Sequence, residues 1–311
     1  MKGVALHMKI AVVIPSYFEG KNLQNLLSKI ELSTLQTFKK SKIQFFISDE
    51  SLGLDQELIK LSLDKANLKL VVSGERFGNQ GAIINALEYL ISMKTTFDYV
   101  VVMDGDGEDD PKHVPILIKK LINERQFLVL AKRGKRFTNN FFRIGKLIFN
   151  LLFKFLTGKN HETGNFSAFR YEWIREMLKN GRFLESFAGE ISSIETRKST
   201  ITLDRSRRLD GKTRTSFIGY VRWALNQLTP WSELIRVRFF IYTLFSLFTL
   251  TIFLIVGIIL RVFTDSVAPN WVTTVTIGIT VISLTNISIF LISSAIYSNI
   301  MTNRKMFKRS N

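Results

Sequence analysis

Five carboxylates fall within the seven residues from Asp104 to Asp110, in the run Asp104-Gly105-Asp106-Gly107-Glu108-Asp109-Asp110-Pro111, directly after the apolar stretch Tyr99 to Met103. Carboxylate oxygens clustered in this way suit a hard divalent cation, Mg2+ or Mn2+, carrying a diphosphate. At the end of a strand they would be delivered to the C-terminal edge of an open α/β sheet, where ligands of such sheets bind. The alternative is an acidic, glycine-rich surface turn, and the surrounding elements have to decide between the two.

Other chemistries are excluded or unsupported by residue type. The chain has no cysteine, so disulfides and thiolate metal sites are absent. His7, His113 and His161 are scattered without ligand spacing. Gly211-Lys212-Thr213 lacks a glycine five residues before Gly211 and is not a phosphate-binding P-loop.

The elements that would position the acidic run alternate in type. Short apolar stretches at Ile10 to Ile14, Ile43 to Ile47, Leu68 to Ser73, Tyr99 to Met103 and Gln126 to Ala131 are expected strands. Amphipathic segments at Asn22 to Leu32, Leu54 to Ala66, Gln80 to Met93 and Pro111 to Asn123 are expected helices. Such alternation predicts an α/β fold, a mostly parallel sheet covered on both faces. The apolar run Ile10 to Ile14 stops at Pro15 with no small-residue cleavage site after it, so it is a first buried strand and not an export signal. Residues 1–8 form an expected disordered leader, with Met8 offering a second start.

The rest of the chain points to a membrane. Phe239 to Leu260 and Trp271 to Met301 are uncharged apolar runs, and about 20 such residues cross a bilayer. Spans are expected over 239–260 and 272–297, within a membrane domain of residues 236–311 that follows a catalytic domain of residues 9–235. The connecting loop lacks Lys and Arg while both outer flanks are basic, which places both termini in the cytoplasm. The second run is rich in Thr, Ser and Gly with Asn286 near its middle, a composition that favours helix contacts in lipid and a homo-oligomer. Residues 137–156 and 217–228 are expected amphipathic interface helices. The basic and aromatic mixture of the first also suits nucleic acid; the adjoining spans favour lipid. A net charge of +17 fits phosphorylated substrates and acidic lipids.

The order of these features resembles the family 2, GT-A fold glycosyltransferases, in the branch of dolichyl-phosphate mannose synthases and bacterial polyprenyl-phosphate glucosyltransferases. The resemblance rests on Val12-Val-Ile-Pro-Ser-Tyr-Phe-Glu19, Ile47-Ser-Asp-Glu-Ser51, Glu75-Arg-Phe-Gly-Asn-Gln-Gly81, the acidic run, Thr163-Gly-Asn-Phe-Ser-Ala-Phe-Arg170 and Arg207-Arg-Leu-Asp-Gly-Lys-Thr-Arg-Thr-Ser216. It implies that Pro15, Tyr17, Glu19, Ile47, Asp49, Asp104, Gly105, Asp106 and Arg133 hold a nucleotide-diphosphate sugar. It implies further that Asp106 and Glu108 bind the cation and that Arg133, Arg143, Arg208, Lys212 and Arg214 hold a lipid phosphate. Phe18, Ser48, Glu50 and Glu108 depart from the usual residues at their positions.

The implied reaction is inverting transfer to a polyprenyl phosphate of the undecaprenyl type at a bacterial inner membrane, with Asp104, Asp106 and Asn165 at the reacting centre. Many bacterial relatives carry Asp where Asn165 stands. A phosphate monoester already presents an anionic oxygen at neutral pH, so loss of that base is tolerable for such an acceptor. Two alternatives stay open: a relative acting on a glycan or lipid hydroxyl, with Glu190 as base, and a degenerate domain serving as a membrane scaffold.

Overall fold

The computed structural model describes residues 7–133, 140–161, 164–179, 186–195, 197–206, 217–264 and 271–310. Strands β1 (Lys9–Ser16), β2 (Lys42–Asp49), β3 (Leu68–Val72), β4 (Tyr99–Val102), β5 (Leu128–Arg133), β6 (Ser167–Arg170) and β7 (Lys198–Leu203) form one sheet in the order β3-β2-β1-β4-β6-β5-β7. β6 runs antiparallel to β4 and β5, and the other pairings are parallel. Neither the short reversed strand β6 nor β7 was revealed by the alternating apolar pattern; the four residues of β6 carry no readable period.

The sheet is buried on both faces because successive side chains of a strand point to opposite sides. Ile10, Val12 and Ile14 of β1 face one apolar layer with α1 (Gly20–Thr37), α2 (Gln56–Asp64) and α4 (Val114–Asn123). Ala11 and Val13 face the other, where α3 (Gly78–Ser92), α6 (Tyr171–Lys179) and α7 (Phe187–Ser193) pack. In α1 the buried residues Leu23, Leu26, Leu27, Ile30 and Thr34 recur at three- and four-residue spacing, the stripe of a one-sided helix. Full burial of each such leucine contributes about 1.5–3 kcal/mol.

Element boundaries differ from the sequence expectation throughout, and three of the differences bear on the packing. α1 continues to Thr37. The fifth strand starts at Leu128 and not Gln126, because the Gln126 N–H still donates to the Leu121 carbonyl and closes the end of α4. Met8 is buried and its carbonyl accepts from Lys42 N at 2.8 Å, so the packed fold already includes the last residue assigned to a leader.

Outside the sheet lie α5 (Asn140–Thr157), α8 (Phe217–Asn226), α9 (Ser232–Phe263) and α10 (Trp271–Ser310). α5 exposes Ile144, Leu147, Ile148, Leu151 and Phe155 while burying Phe153, and α8 exposes Ile218, Val221 and Leu225. α9 and α10 are long and apolar enough to cross a membrane. They pack antiparallel, through Phe240 on Phe290, Asn286 Nδ2 donating to Ser246 Oγ at 3.2 Å, and Phe253 on Trp271. α5 is tied to α9 by Phe155 stacked on Tyr242 and by Arg238 Nη1 donating to the Phe155 carbonyl at 3.2 Å.

Candidate active site

The acidic loop follows β4 at the C-terminal edge of the parallel strands. Its first half is a tight turn: Asp106 Oδ1 accepts from Glu108 N at 3.0 Å, and Gly107 adopts φ +77°, a conformation that favours glycine. Asp109 Oδ2 accepts from Asp104 N at 3.1 Å and closes the loop on itself. Gly105 lies hard against β1, where a Cβ would sit 2.7 Å from Glu19 Oε2 and 3.1 Å from the Pro15 carbonyl.

Sheet register brings Asn165 to this loop. β6 pairs Ser167 with Val102, so the residues just before β6 arrive beside those just after β4. Asn165 Nδ2 donates to Asp104 Oδ1 at 2.8 Å, and Asn165 Oδ1 accepts from Gln80 Nε2 at 2.8 Å. Gln80 Oε1 accepts from Ala188 N at 2.8 Å. Ser186 Oγ, at the N-terminus of α7, accepts from Gln227 Nε2 at 2.8 Å and donates to Gln80 Oε1 at 3.5 Å. A chain of buried polar groups thus runs from the acidic loop to the segment that leads into α9. Asn79 Nδ2 adds a donor to Asp104 Oδ1 at 3.3 Å.

β7 brings Arg205 to the same edge. Its side chain is only 7% exposed, forms an ion pair with Glu108, and places Nη2 3.5 Å from Asp109 Oδ1 and 3.8 Å from Asp104 Oδ2. Neither Arg205 nor Gln80 was singled out from the sequence. Arg205 stands two residues past a strand end beside a basic run, which is a signal only once the pairing of β5 with β7 is known.

On the opposite side of the loop, the Arg76 guanidinium lies over the Tyr17 ring at 4.2 Å, and Phe18 takes a left-handed φ of 55°. Glu50 Oε2 accepts from Gly78 N at 2.7 Å. Burial pushes its carboxyl above the usual glutamate value, against the lowering effects of the Gly78 hydrogen bond and the Arg76 charge.

Two residues implied as nucleotide contacts, Ile47 and Asp49, lie buried in the second half of β2. The Ile47 side chain is fully buried in the core, and its backbone lies between β1 and β3. Asp49 is also fully buried, accepting from Ser51 N, Ser51 Oγ and Gly53 N at 2.8–2.9 Å. It holds the turn after β2. Pro15, Tyr17, Glu19, Asp104, Gly105 and Asp106 do gather at one edge. Arg133 ends β5 and Arg143 lies on α5; Arg208, Lys212 and Arg214 lie outside the described residues. Glu190 is buried on α7.

The donors at the loop are carboxylate oxygens, the type that Mg2+ and Mn2+ select. No set of three or more His, Cys, Asp or Glu that could hold an ion occurs among the described residues. A site here would draw one or two carboxylates from the protein and its remaining oxygens from phosphate and water, the usual sharing for Mg2+. In type and number the residues fit.

A mostly parallel sheet with this acidic edge is the GT-A architecture of nucleotide-sugar-dependent enzymes. Glucosyl-3-phosphoglycerate synthase of Mycobacterium tuberculosis, solved with Mn2+ and UDP-glucose, superposes with a TM-score of 0.52 at 17% identity, over 72% of this chain and 79% of that one. Residues 11–178, over half of the chain, match the family described as Glycosyl transferase family 2, and the chain belongs to that family. An uncharacterized glycosyltransferase of Synechocystis is 23% identical over 254 residues, 78% of this chain and 76% of the relative. The dolichol-phosphate mannosyltransferase of Pyrococcus furiosus is 28% identical over 116 residues, 37% of this chain; the match spans only 31% of that relative's length.

Proposed function

We propose that this glycosyltransferase is anchored in the bacterial inner membrane by α9 and α10, its catalytic domain and both termini cytoplasmic. It moves a sugar from a nucleotide-diphosphate sugar to a polyprenyl phosphate, with inversion. The observation that carries the reading is the joining of the apolar-faced α5 to α9 through Phe155, Tyr242 and Arg238, which lays an exposed apolar surface beside the long apolar helices. A catalytic domain held in this way works on an acceptor whose tail stays in lipid. The partial likeness to a dolichol-phosphate mannosyltransferase supports the same acceptor class.

Asp106 and Glu108 would hold the divalent cation, which supplies Lewis-acid stabilisation of the leaving nucleoside diphosphate. Tyr17, stacked under Arg76, and Glu19 flank the nucleotide end. An oxygen of the acceptor phosphate forms a bond to the anomeric carbon while the bond from that carbon to the diphosphate oxygen breaks, its electron pair leaving with the nucleotide. Arg133, Arg143, Arg208, Lys212 and Arg214 are assigned to the acceptor phosphate, whose charge they offset. Asn165 keeps a second amide hydrogen beyond the one given to Asp104 and can orient the incoming phosphate.

The test is transfer of radiolabel from uridine- and guanosine-diphosphate sugars to undecaprenyl phosphate in detergent, with and without Mg2+ or Mn2+, beside Asp106→Ala. Metal-dependent labelling of the lipid that the substitution abolishes is expected. Labelling of a glycan or lipid hydroxyl instead, or none by a folded protein, would overturn the assignment.

A further inference from the structure

We propose that Arg205 is an internal counter-ion that competes with the divalent cation for Glu108. The proposal rests on the assignment of Asp106 and Glu108 as cation ligands.

Arg205 is almost wholly buried and lies against three carboxylates, those of Asp104, Glu108 and Asp109. A buried acidic cluster needs compensating positive charge, and a guanidinium or a divalent ion can each supply it. Both seek the oxygens of Glu108, and two positive groups at one carboxylate repel each other. Binding of the cation therefore requires the Arg205 side chain to swing away.

The exchange is a side-chain movement because the backbone is pinned. Ser206 N donates to the Glu108 carbonyl at 2.9 Å, and β7 stays in register with β5 up to Leu203. The guanidinium is also incompletely held: Arg205 Nε is buried with no hydrogen-bond partner among the described residues. Buried donors are ordinarily satisfied, so an idle one marks a group with another partner to reach. An anionic diphosphate arriving at this edge provides such a partner, which makes donor and cation binding mutually reinforcing. Without a donor, cation affinity is held down by Arg205.

The test is Mn2+ titration followed by electron paramagnetic resonance on the full chain in detergent, without nucleotide, with thermal melting to verify folding. Arg205→Gln is expected to bind Mn2+ about tenfold tighter than the unsubstituted protein, since a like charge has left the site. Arg205→Lys, which retains the charge, is expected to stay within about threefold of it. In the unsubstituted protein the Arg205 Nε–H nuclear magnetic resonance signal, assigned by its loss in Arg205→Lys, should shift as Mg2+ is added; this holds even if Arg205→Gln does not fold. Unchanged or weaker Mn2+ binding by folded Arg205→Gln, or a signal indifferent to Mg2+, overturns the competition. Asp106→Asn separates the two assignments: if it leaves Mn2+ binding intact, the cation site itself is wrong.

Discussion

Asn165, just before the reversed strand β6, and Asp104, just after its neighbour β4, are joined by a 2.8 Å hydrogen bond. The amide cannot reverse, because Gln80 donates to its oxygen from the other side. Asn165→Asp would set two carboxylates against each other, and one of them would retain a proton to higher pH. Activity is expected to fall about tenfold or more at neutral pH and to recover toward acid. A pH–rate profile checks this, with Asn165→Ala expected to lose activity without the acid recovery.

Gln80→Leu removes the acceptor of Ala188 N and the donor to Asn165 together. Leaving buried polar groups unpaired costs about 1–3 kcal/mol. A lower denaturation midpoint is expected, accompanied by a fall in kcat as Asn165 loses its fixed orientation. Midpoint and kcat measured on one preparation test both.

Gly105→Ala puts a methyl group within 3.1 Å of the Pro15 carbonyl and Ile14 Cγ2 and closer still to Glu19 Oε2. Backbone oxygen cannot yield without parting the loop from β1, so overpacking should cost about 1–3 kcal/mol. A weaker KM for the nucleotide sugar is expected along with the lower melting temperature.

Glu50 has a folded-state pKa raised above 4.5, chiefly by burial. Its contribution to stability is therefore greatest below the unfolded value and is lost as pH rises through the folded one. Glu50→Gln abolishes this dependence. Compared with the variant, the unsubstituted protein should lose stability as pH is raised from about the ordinary glutamate value of 4.5 upward, measured by melting across that range.

Leu147 and Leu151 on α5 are 60% and 61% exposed. Replacing both by Glu should change fold stability little, within about 0.5 kcal/mol per site for exposed positions. Transfer to a lipid acceptor in vesicles is expected to drop severalfold while nucleotide-sugar binding is retained, a split read by parallel transfer and binding assays.

The α/β alternation, the acidic run after β4 and the two long apolar helices were legible in the sequence because each is a local pattern: a short apolar run, residue types at close spacing, uninterrupted hydrophobicity. The apolar stretches at Ile10 to Ile14 and Tyr99 to Met103 became β1 and β4 with small boundary shifts. Glu50 and Asp49 show the limit of such patterns. They are adjacent in sequence, yet one closes its own turn while the other reaches across to Gly78.

Strand order was decided only in three dimensions. Inserting β6 antiparallel between β4 and β5 sets Asn165 against Asp104, 61 positions away, and pairing β5 with β7 delivers Arg205 to Glu108. Hydrophobic periodicity states which face of an element is buried and nothing about which strand lies beside it. The chemistry-bearing residue types were therefore visible in the chain, and their partners emerged from the long-range pairing that buries both faces of the sheet.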